Sequence, residues 1–303
     1  MRHLLNLFDL DRPTIQHLLF EAARIKADRK RGQHASTLKN KVVALIFEKP
    51  SLRTRVSFES AVAQLGGTSL FLPGSEIGLS QREPLCDFAR TMSEYVDALV
   101  LRVFKQSTVE EVARRGRIPV VNALSDADHP CQALADLLTI QEAFGDISKT
   151  TVAFVGDGNN VARSLAIGCG WLGARFILAC PEGYGFDPAF LHAYHKRIGG
   201  KAPQEVRDPA AAVKSADIIY TDVWTSMGQE AEREERLKKF APYQVNADLL
   251  AKAPKGVKAL HCLPAHRGEE ITDDVIEGPA SLVFQQAGNR LHAQKAVLEW
   301  LFQ

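Results

Sequence analysis

Residues 42–65 of the chain read VVALIFEKPSLRTRVSFESAVAQL, and this stretch decides the fold class. Residues 42–47 form an uninterrupted apolar run, which predicts a short buried strand. Residues 56–65 carry apolar side chains at helical spacing, and this predicts a helix that ends at the two glycines that follow. A buried strand followed closely by a helix is the repeating unit of α/β folds.

The connecting segment Ser51-Leu52-Arg53-Thr54-Arg55 combines two arginines and two hydroxyl side chains with the start of a helix. The first N–H groups of a helix have no partner within the helix and carry partial positive charge. Guanidinium groups match the geometry of phosphate oxygens, and hydroxyl groups add short donors. The segment therefore predicts an oxyanion or phosphate cradle. The alternative is a capped helix with solvated arginines.

The composition is that of an ordinary globular protein, with 303 residues, 46% hydrophobic and 24% charged, which is enough for two domains. A net charge of +1 gives no indication that nucleic acid or a membrane surface is the main partner. The five cysteines include no CxxC pair, which predicts reduced thiols in a cytoplasm and neither a disulfide framework nor a zinc site. The first residues lack the pattern of a signal peptide.

Strand-like and helix-like segments alternate along the whole chain. This pattern predicts an α/β fold class with two parallel-sheet, three-layer domains joined by interdomain helices. The polar segment 146–150 suggests a boundary between domains 1–145 and 146–288, with a last helix, 289–303, packing back on the first domain. The strands predicted for the second domain are residues 151–155, 175–180, 217–221, 258–260 and 281–284.

Further polar residues of the first domain follow predicted strands, which is where open parallel sheets bind ligands. Arg102 lies near the end of the strand 98–103, and it either meets a bound anion or reaches the surface. His129 and Gln132 lie at the start of a predicted helix, where both could face a ligand. A histidine that merely caps this helix is the alternative.

In the second domain, residues 156–160 read GDGNN after a predicted strand. The third glycine of a dinucleotide fingerprint is missing, because Val161 occupies its position. We therefore expect the two asparagines to bind a polar, amino-acid-like ligand. Asp222 follows another strand and could hold an ammonium group, or it could simply cap a turn.

Three further segments admit a functional and a simpler interpretation. The thiol of Cys262 follows His261 and is either a reactive contact or an inert buried group. Arg290 opens the last helix and could bind an anion, although a solvated arginine is the default. The mixed charges of residues 230–239 indicate a solvated helix face.

Together these segments resemble the ornithine carbamoyltransferase family, within the aspartate/ornithine carbamoyltransferase superfamily. The resemblance covers essentially the whole chain and runs in the family's order. It rests on FEKPSLRTR at 47–55, HPCQ at 129–132, DVWTSMG at 222–228, HCLP at 261–264 and NRLH at 289–292. It implies transfer of a carbamoyl group from carbamoyl phosphate to the side-chain amine of ornithine, with citrulline and phosphate as products.

The resemblance also assigns residues to the two substrates. Carbamoyl phosphate would be bound by Ser51, Leu52, Arg53, Thr54, Arg102, His129, Gln132, Cys262, Leu263 and Arg290. Ornithine would be bound by Asn160, Asp222, Ser226 and Met227. The residues implied in catalysis are Asp222, Cys262, Arg102 and His129. Because the residues expected to bind ornithine fall in the other predicted domain, the expected site needs both domains.

The resemblance further implies no metal, no redox cofactor, and a cytoplasmic homotrimer with sites near subunit boundaries. Arginine biosynthesis is the usual role of the family, although a catabolic role uses the same residues. Two positions depart from the family pattern. Leu52 stands where a threonine is common, and Gly78 stands where some members have glutamine in a loop, 73–83, that can reach a neighbouring subunit.

Other functions remain as alternatives from the sequence. The amine could instead be aspartate, putrescine or an N-acylated ornithine, because these enzymes share carbamoyl phosphate. The segments 226–228 and 261–264 favour ornithine. An inactive metabolite-binding relative and a nicotinamide dehydrogenase are the rivals from other classes.

Overall fold

The computed structural model describes residues 1–33, 35–79, 81–200, 202–226, 228 and 230–303. The chain divides into two compact units. The first unit consists of Met1–Ala135 together with Asn289–Gln303, and the second consists of Asp136–Gly288. Each unit is built around its own parallel sheet.

The sheet of the first unit has four parallel strands in the order β2-β1-β3-β4. The strands are β1 (Val42–Phe47), β2 (Thr68–Pro73), β3 (Ala98–Arg102) and β4 (Val120–Leu124). The helices are α1 (Arg12–Lys30), α2 (Leu52–Gln64), α3 (Gly74–Ile77), α4 (Leu85–Tyr95), α5 (Gln106–Arg115) and α6 (Pro130–Phe144). Apolar side chains of β1 and β3 pack with those of α4 and α5 to form one core of this unit.

The sheet of the second unit has five parallel strands in the order β7-β6-β5-β8-β9. The strands are β5 (Thr151–Val155), β6 (Arg175–Ala179), β7 (Gln204–Val206), β8 (Ile218–Thr221) and β9 (Lys258–His261). The helices are α7 (Asn160–Leu172), α8 (Pro188–Arg197), α9 (Pro209–Val213), α10 (Arg233–Phe240), α11 (Ala247–Leu250), α12 (Asp273–Ile276) and α13 (Val283–Leu301). Single 3₁₀ turns lie at Ile147–Lys149, Glu230–Glu232 and Ala241–Tyr243.

The two passages of the chain between the units both fall inside helices. The first passage, after Ala135, is within α6, and the return passage, after Gly288, is within α13. The predicted α/β fold class, with two parallel sheets, flanking helices and interdomain helices, is confirmed. Among the helices of the described residues, none has both the length and the apolar character needed to cross a membrane.

Each sheet has one point where the order of its strands reverses direction. In the first unit the chain builds β2 on one side of β1 and β3 on the other. In the second unit it builds β6 and β7 on one side of β5 and then β8 on the other. Ligands of open parallel sheets bind beyond the carboxyl ends of the strands at such a switch point. A ligand-binding site is therefore expected in the loops after β1, β3, β5 and β8.

Four details of the predicted secondary structure differ from the structure. Helix α2 begins at Leu52 and not at residue 56, because Ser51 is its N-cap and the polar first turn precedes the apolar stripe. Residues 281–284 are not a strand, since the last helix begins at Val283 and Ser281 makes only an isolated bridge to Ala259. An apolar run this short does not distinguish a strand from a buried helical turn. Strand β7 was missed, and the apolar residues 118–121 predict a strand that in the structure is β4 and lies slightly later, at Val120–Leu124.

Candidate active site

The loop after β1 places a helix N-terminus and two hydroxyl groups together. The Ser51 hydroxyl accepts a hydrogen bond from the Thr54 N–H at 3.3 Å, and it lies 3.0 Å from the Thr54 hydroxyl oxygen. Thr54 is buried, Arg53 is half-buried, and Leu52 is exposed. Arg55 faces away into an ion pair with Glu59 at 3.1 Å. The loop has the donors that the predicted anion cradle requires.

Arg102 is the last residue of β3, and it is directed at the same loop. Its Nε–H donates to the Lys49 carbonyl oxygen at 3.2 Å, while its own carbonyl oxygen accepts from the Glu48 N–H at 2.8 Å. The side chain is buried. Burying a guanidinium group is costly unless it is paired, so the surface-exit interpretation of Arg102 is wrong.

Arg290 links the loop to the start of α6. One of its terminal nitrogens donates to the Thr54 hydroxyl at 2.7 Å, and the other donates to the side-chain oxygen of Gln132. All three side chains are buried. The default interpretation of Arg290 as a solvated arginine is therefore wrong. We call Thr54, Arg102, His129, Gln132 and Arg290 the arginine cluster.

His129 is buried beside two of these cations. Burial lowers the pKa of His129 well below its usual value, and the positive charges of Arg290 and Arg102 lower it further. The imidazole is consequently neutral at pH 7. A neutral imidazole can donate one hydrogen bond to a carbonyl oxygen without adding charge.

In the second unit, Asp222 directly follows β8 and is buried. Its Oδ1 accepts from the Cys262 thiol at 2.9 Å and from the Val223 N–H at 2.8 Å. Its Oδ2 accepts from the Asn159 side-chain amide at 2.9 Å. The carboxylate is thus fixed from both sides, which is more than the cap of a turn requires.

The loop that carries Cys262 is held by a buried histidine and glutamate. His261 Nε2 lies 3.1 Å from Glu270 Oε1, and His261 Nδ1 accepts from the Leu263 N–H at 2.8 Å. This N–H bond fixes the tautomer with the proton on Nε2. Leu263 has φ of 58°, in the left-handed region that a non-glycine residue adopts only when its surroundings hold it there. We call Asn159, Asp222, His261, Cys262 and Glu270 the carboxylate cluster.

A further network of buried hydrogen bonds involves Tyr220 of β8 and the backbone of His261 at the end of β9. The Tyr220 hydroxyl donates to Asp136 at 3.1 Å, and the Gln286 amide donates to the other oxygen of Asp136 at 2.7 Å. Gln286 also accepts from the His261 N–H at 2.9 Å. Burial, together with the negative charge of Asp136, raises the pKa of Tyr220 well above its usual value, so the phenol keeps its proton. These bonds fix the strand ends from which Asp222 and Cys262 project.

Gly158, in the segment 156–160, is required by the close packing of the loop. A Cβ at Gly158 would lie 2.8 Å from the carbonyl carbon of Gly185, so only glycine fits there. The N-terminus of α7 is capped by Asn159. Close packing therefore accounts for Gly158 without a dinucleotide.

The remaining predicted site residues lie near the carboxylate cluster along the chain. Asn160 is the first residue of α7 and is half-buried, and Ser226 is half-buried in the loop after β8. Met227 lies outside the described residues. The sequence expectation placed Asn159 with Asn160 on a polar ligand and not against Asp222, and it did not single out His261 or Glu270 as site residues. An asparagine just before a helix does predict a cap, whereas nothing in the sequence pairs His261 with Glu270.

The helix with the charge run 230–239 is not wholly solvated. Arg236, on α10, is buried, and its Nη1 donates to Asp157 at 2.7 Å and to the Trp224 carbonyl oxygen at 2.9 Å. Asp157 lies in the loop after β5 and Trp224 in the loop after β8. This arginine therefore ties together the two loops at the switch point of the second sheet, and the prediction of a purely solvated face is wrong there.

The fold and these clusters define a two-domain α/β protein with buried clusters of charged side chains at the switch points of its sheets. Comparison with known families gives the particular family. Residues 2–142 match the domain described as "Aspartate/ornithine carbamoyltransferase, carbamoyl-P binding domain", and residues 148–301 match the "Asp/Orn binding domain" of the same family. The chain belongs to the aspartate/ornithine carbamoyltransferase family.

Individual relatives are similar over nearly the whole chain. A protein of Archaeoglobus fulgidus named ornithine carbamoyltransferase is 51% identical, over 98% of this chain and 96% of its own length. The solved structure of ornithine carbamoyltransferase from Pyrococcus furiosus has a TM-score of 0.94 and 50% identity, over 98% of this chain and 96% of its own. The structure of the Thermus thermophilus enzyme of the same name has a TM-score of 0.90 and 43% identity, over 99% of both chains.

Proposed function

We propose that the chain transfers the carbamoyl group of carbamoyl phosphate to the side-chain amine of L-ornithine, giving L-citrulline and phosphate. The observation that carries this proposal is the buried Asp222 carboxylate, which accepts from the Cys262 thiol within the motifs that resemble the ornithine-binding loops. The relatives named ornithine carbamoyltransferase, at about 50% identity over their full length, support the same substrate.

The first unit is proposed to bind carbamoyl phosphate. The phosphate would be bound by Ser51, the N–H of Leu52, Arg53, Thr54 and Arg102. The proposed ligands of the carbamoyl group are His129, Gln132, Arg290, Cys262 and Leu263. Support comes from the positive charge of the arginine cluster and from the helix N-terminus at Ser51. We propose 1–145 with 289–303 as this domain.

The second unit is proposed to bind ornithine, with 146–288 as the domain. Asn160, Asp222, Ser226 and Met227 are the proposed ligands of ornithine. An ammonium group of ornithine would meet the fixed carboxylate of Asp222. The neutral Asn160 and Ser226 offer donors for the carboxylate of the amino acid.

The proposed chemistry follows from the charges of the two clusters. The side-chain ammonium of ornithine must first lose a proton to the solvent, and Asp222 and Cys262 are proposed to orient the resulting neutral amine for attack. The new N–C bond places negative charge on the carbamoyl oxygen, where His129, Arg102, Arg290 and Thr54 are the proposed donors. The C–O bond then breaks. Phosphate leaves into the cradle of Ser51 and Arg53, and the surplus proton of the nitrogen leaves with it.

We propose a homotrimer in the cytoplasm, with active sites near the subunit boundaries and a role in arginine biosynthesis. Leu52 and Val56 lie one turn apart on α2 and are 75% and 50% exposed, and Leu70 of the edge strand β2 is 44% exposed. We propose that these exposed apolar side chains lie in the subunit interface. The anabolic role is supported by a relative from Pyrococcus furiosus named "Ornithine carbamoyltransferase, anabolic", which is 50% identical.

The test is a citrulline assay with an amine panel. The purified protein is incubated with carbamoyl phosphate and, in turn, L-ornithine, putrescine, L-aspartate and N-acetyl-L-ornithine. Rapid citrulline formation from ornithine alone is expected. Turnover of another amine without citrulline would refute ornithine as the substrate, and no turnover of any amine would favour a metabolite-binding relative. The mass in solution tests the trimer.

A further inference from the structure

We propose that Asn159 is a positioning residue that fixes the Asp222 carboxylate for ornithine. This inference rests on the proposed function. The sequence expectation assigned Asn160 to ornithine and gave Asn159 no separate role. The structure instead places the Asn159 amide directly against Asp222, at the switch point of the second sheet.

The orientation of the Asn159 amide follows from its own hydrogen bonds. Its Oδ1 accepts from the N–H groups of Val161 and Ala162, each at 3.0 Å, which makes it the N-cap of α7. An oxygen that caps a helix must face the helix N–H groups, so the NH₂ end must face the opposite way. That end donates to Asp222 Oδ2 at 2.9 Å. The helix therefore determines which end of the amide Asp222 meets.

The bond from Asn159 adds a restraint at the second oxygen of the Asp222 carboxylate. Oδ1 accepts from the Cys262 thiol and from the Val223 N–H. Rotation about the Cβ–Cγ bond has a broad torsional profile and displaces both oxygens together, so a bond at each oxygen restrains it more than bonds at one oxygen do. The bond from Asn159 fixes Oδ2. A carboxylate fixed in advance loses less conformational freedom when it pairs with an ammonium group.

The competing explanation is that Asn159 is only a helix cap. Two substitutions separate the roles. Asn159→Ser keeps a capping oxygen and removes the amide that reaches Asp222. Asn159→Asp also keeps the cap, because aspartate caps as well as asparagine does, but it turns a second carboxylate oxygen toward Asp222.

The assay measures kcat and KM for both substrates by citrulline formation. Because the lost hydrogen bond is to a charged group, we expect kcat/KM for ornithine to fall roughly 10-fold to 100-fold in Asn159→Ser. A larger loss is expected in Asn159→Asp, since like charges repel. KM for carbamoyl phosphate should change by less than about 2-fold, and Tm should change little because the cap is kept.

Asn246 provides a matched control in the same unit. It is the N-cap of α11, its Oδ1 accepts from the Leu249 N–H at 3.0 Å, and its NH₂ donates to the neutral Gln244 at 3.2 Å. Asn246→Ser and Asn246→Asp make the same chemical changes at a cap without Asp222. We expect wild-type ornithine kinetics in both.

A double-mutant cycle with Asp222→Asn decides whether Asn159 acts through Asp222. In that background, Asn159→Ser should lower kcat/KM for ornithine by less than about 2-fold, because the partner charge is already gone. Where turnover is too slow, the ornithine-dependent shift in Tm gives the same comparison. Full additivity contradicts the proposal, as does equal loss for both substrates or unchanged ornithine kinetics in Asn159→Ser. If the wild-type protein carbamoylates another amine, the proposed function fails, and the same variants tested on that amine still decide the role of Asn159.

Discussion

The arginine cluster and the carboxylate cluster lie at equivalent places in their sheets but are built in opposite ways. The arginine cluster concentrates cations, with Arg102 and Arg290 buried around a neutral His129. In the carboxylate cluster, Asp222 accepts from the neutral donors Asn159 and Cys262, while Glu270 lies against His261. Each cluster presents the charge opposite to that of its proposed ligand, phosphate in one and an ammonium group in the other.

The difference in charge between the two clusters also affects how each would bind its substrate. A cradle of arginines and helix N–H groups binds through many donors, so the loss of one donor removes part of a large total. A single carboxylate binds through one charge, whose direction depends on its neighbours. Substitutions in the first cluster should therefore affect carbamoyl phosphate, and substitutions in the second should affect ornithine.

The largest effect is expected from Arg53→Ala. Removing a guanidinium group from the proposed phosphate cradle should lower kcat/KM for carbamoyl phosphate roughly 10²–10³-fold, the usual loss for one preorganised donor. Arg55→Ala is the matched control, because Arg55 pairs with Glu59 and lies over the ring of Phe71 at 3.8 Å. It should change the rate by less than about 3-fold, as expected for an exposed pair. Similar losses in the two folded variants would contradict the role of Arg53.

Asp222→Asn should have the next largest effect, and on the other substrate. The substitution keeps the shape of the side chain and removes its charge, so kcat/KM for ornithine should fall about 100-fold, as charge-assisted hydrogen bonds imply. KM for carbamoyl phosphate should stay within a few-fold of wild type. Steady-state kinetics with each substrate varied in turn measures kcat/KM for ornithine and for carbamoyl phosphate. An equal fall in the two values would contradict the assignment of one substrate to each cluster.

The two clusters also differed in how far the sequence predicted them. The loop at Ser51 is local, because a cap, two arginines and a helix start are adjacent in the chain, and the helix there was predicted from the sequence apart from its exact start. Arg290 was expected to be solvated on its own, since its partners Thr54 and Gln132 are 236 and 158 residues away. His261 and Glu270 form a buried pair that no local pattern indicates.

Arg236→Lys should have a smaller effect, on ornithine. The guanidinium group of Arg236 reaches Asp157, the Trp224 carbonyl oxygen and Glu232, and a lysine ammonium cannot reproduce this fork. We expect kcat/KM for ornithine to fall about 10-fold, the effect of roughly one hydrogen bond to a charged group. Arg233→Lys, on the same helix, is the control, because its pair with Glu269 is partly exposed. Equal values of kcat/KM for ornithine in the two variants would show that Arg236 does not hold the loops after β5 and β8 in the conformation that binds ornithine.

The smallest effect concerns stability and pH, and it is confined to the arginine cluster. Because burial beside Arg290 and Arg102 lowers the pKa of His129, the unfolded chain binds more protons than the folded chain between that lowered value and the usual 6.5. Stability should therefore rise with pH through this window and be lost as the pH falls. His129→Gln, which cannot titrate, should show a smaller difference in Tm between pH 7.5 and pH 5.5 than the wild type. The pKa of His3 is also lowered by burial, though it is only half-buried, so His3→Gln should remove less of the difference. An unchanged difference in His129→Gln would mean that burial beside the two arginines does not lower the pKa of His129.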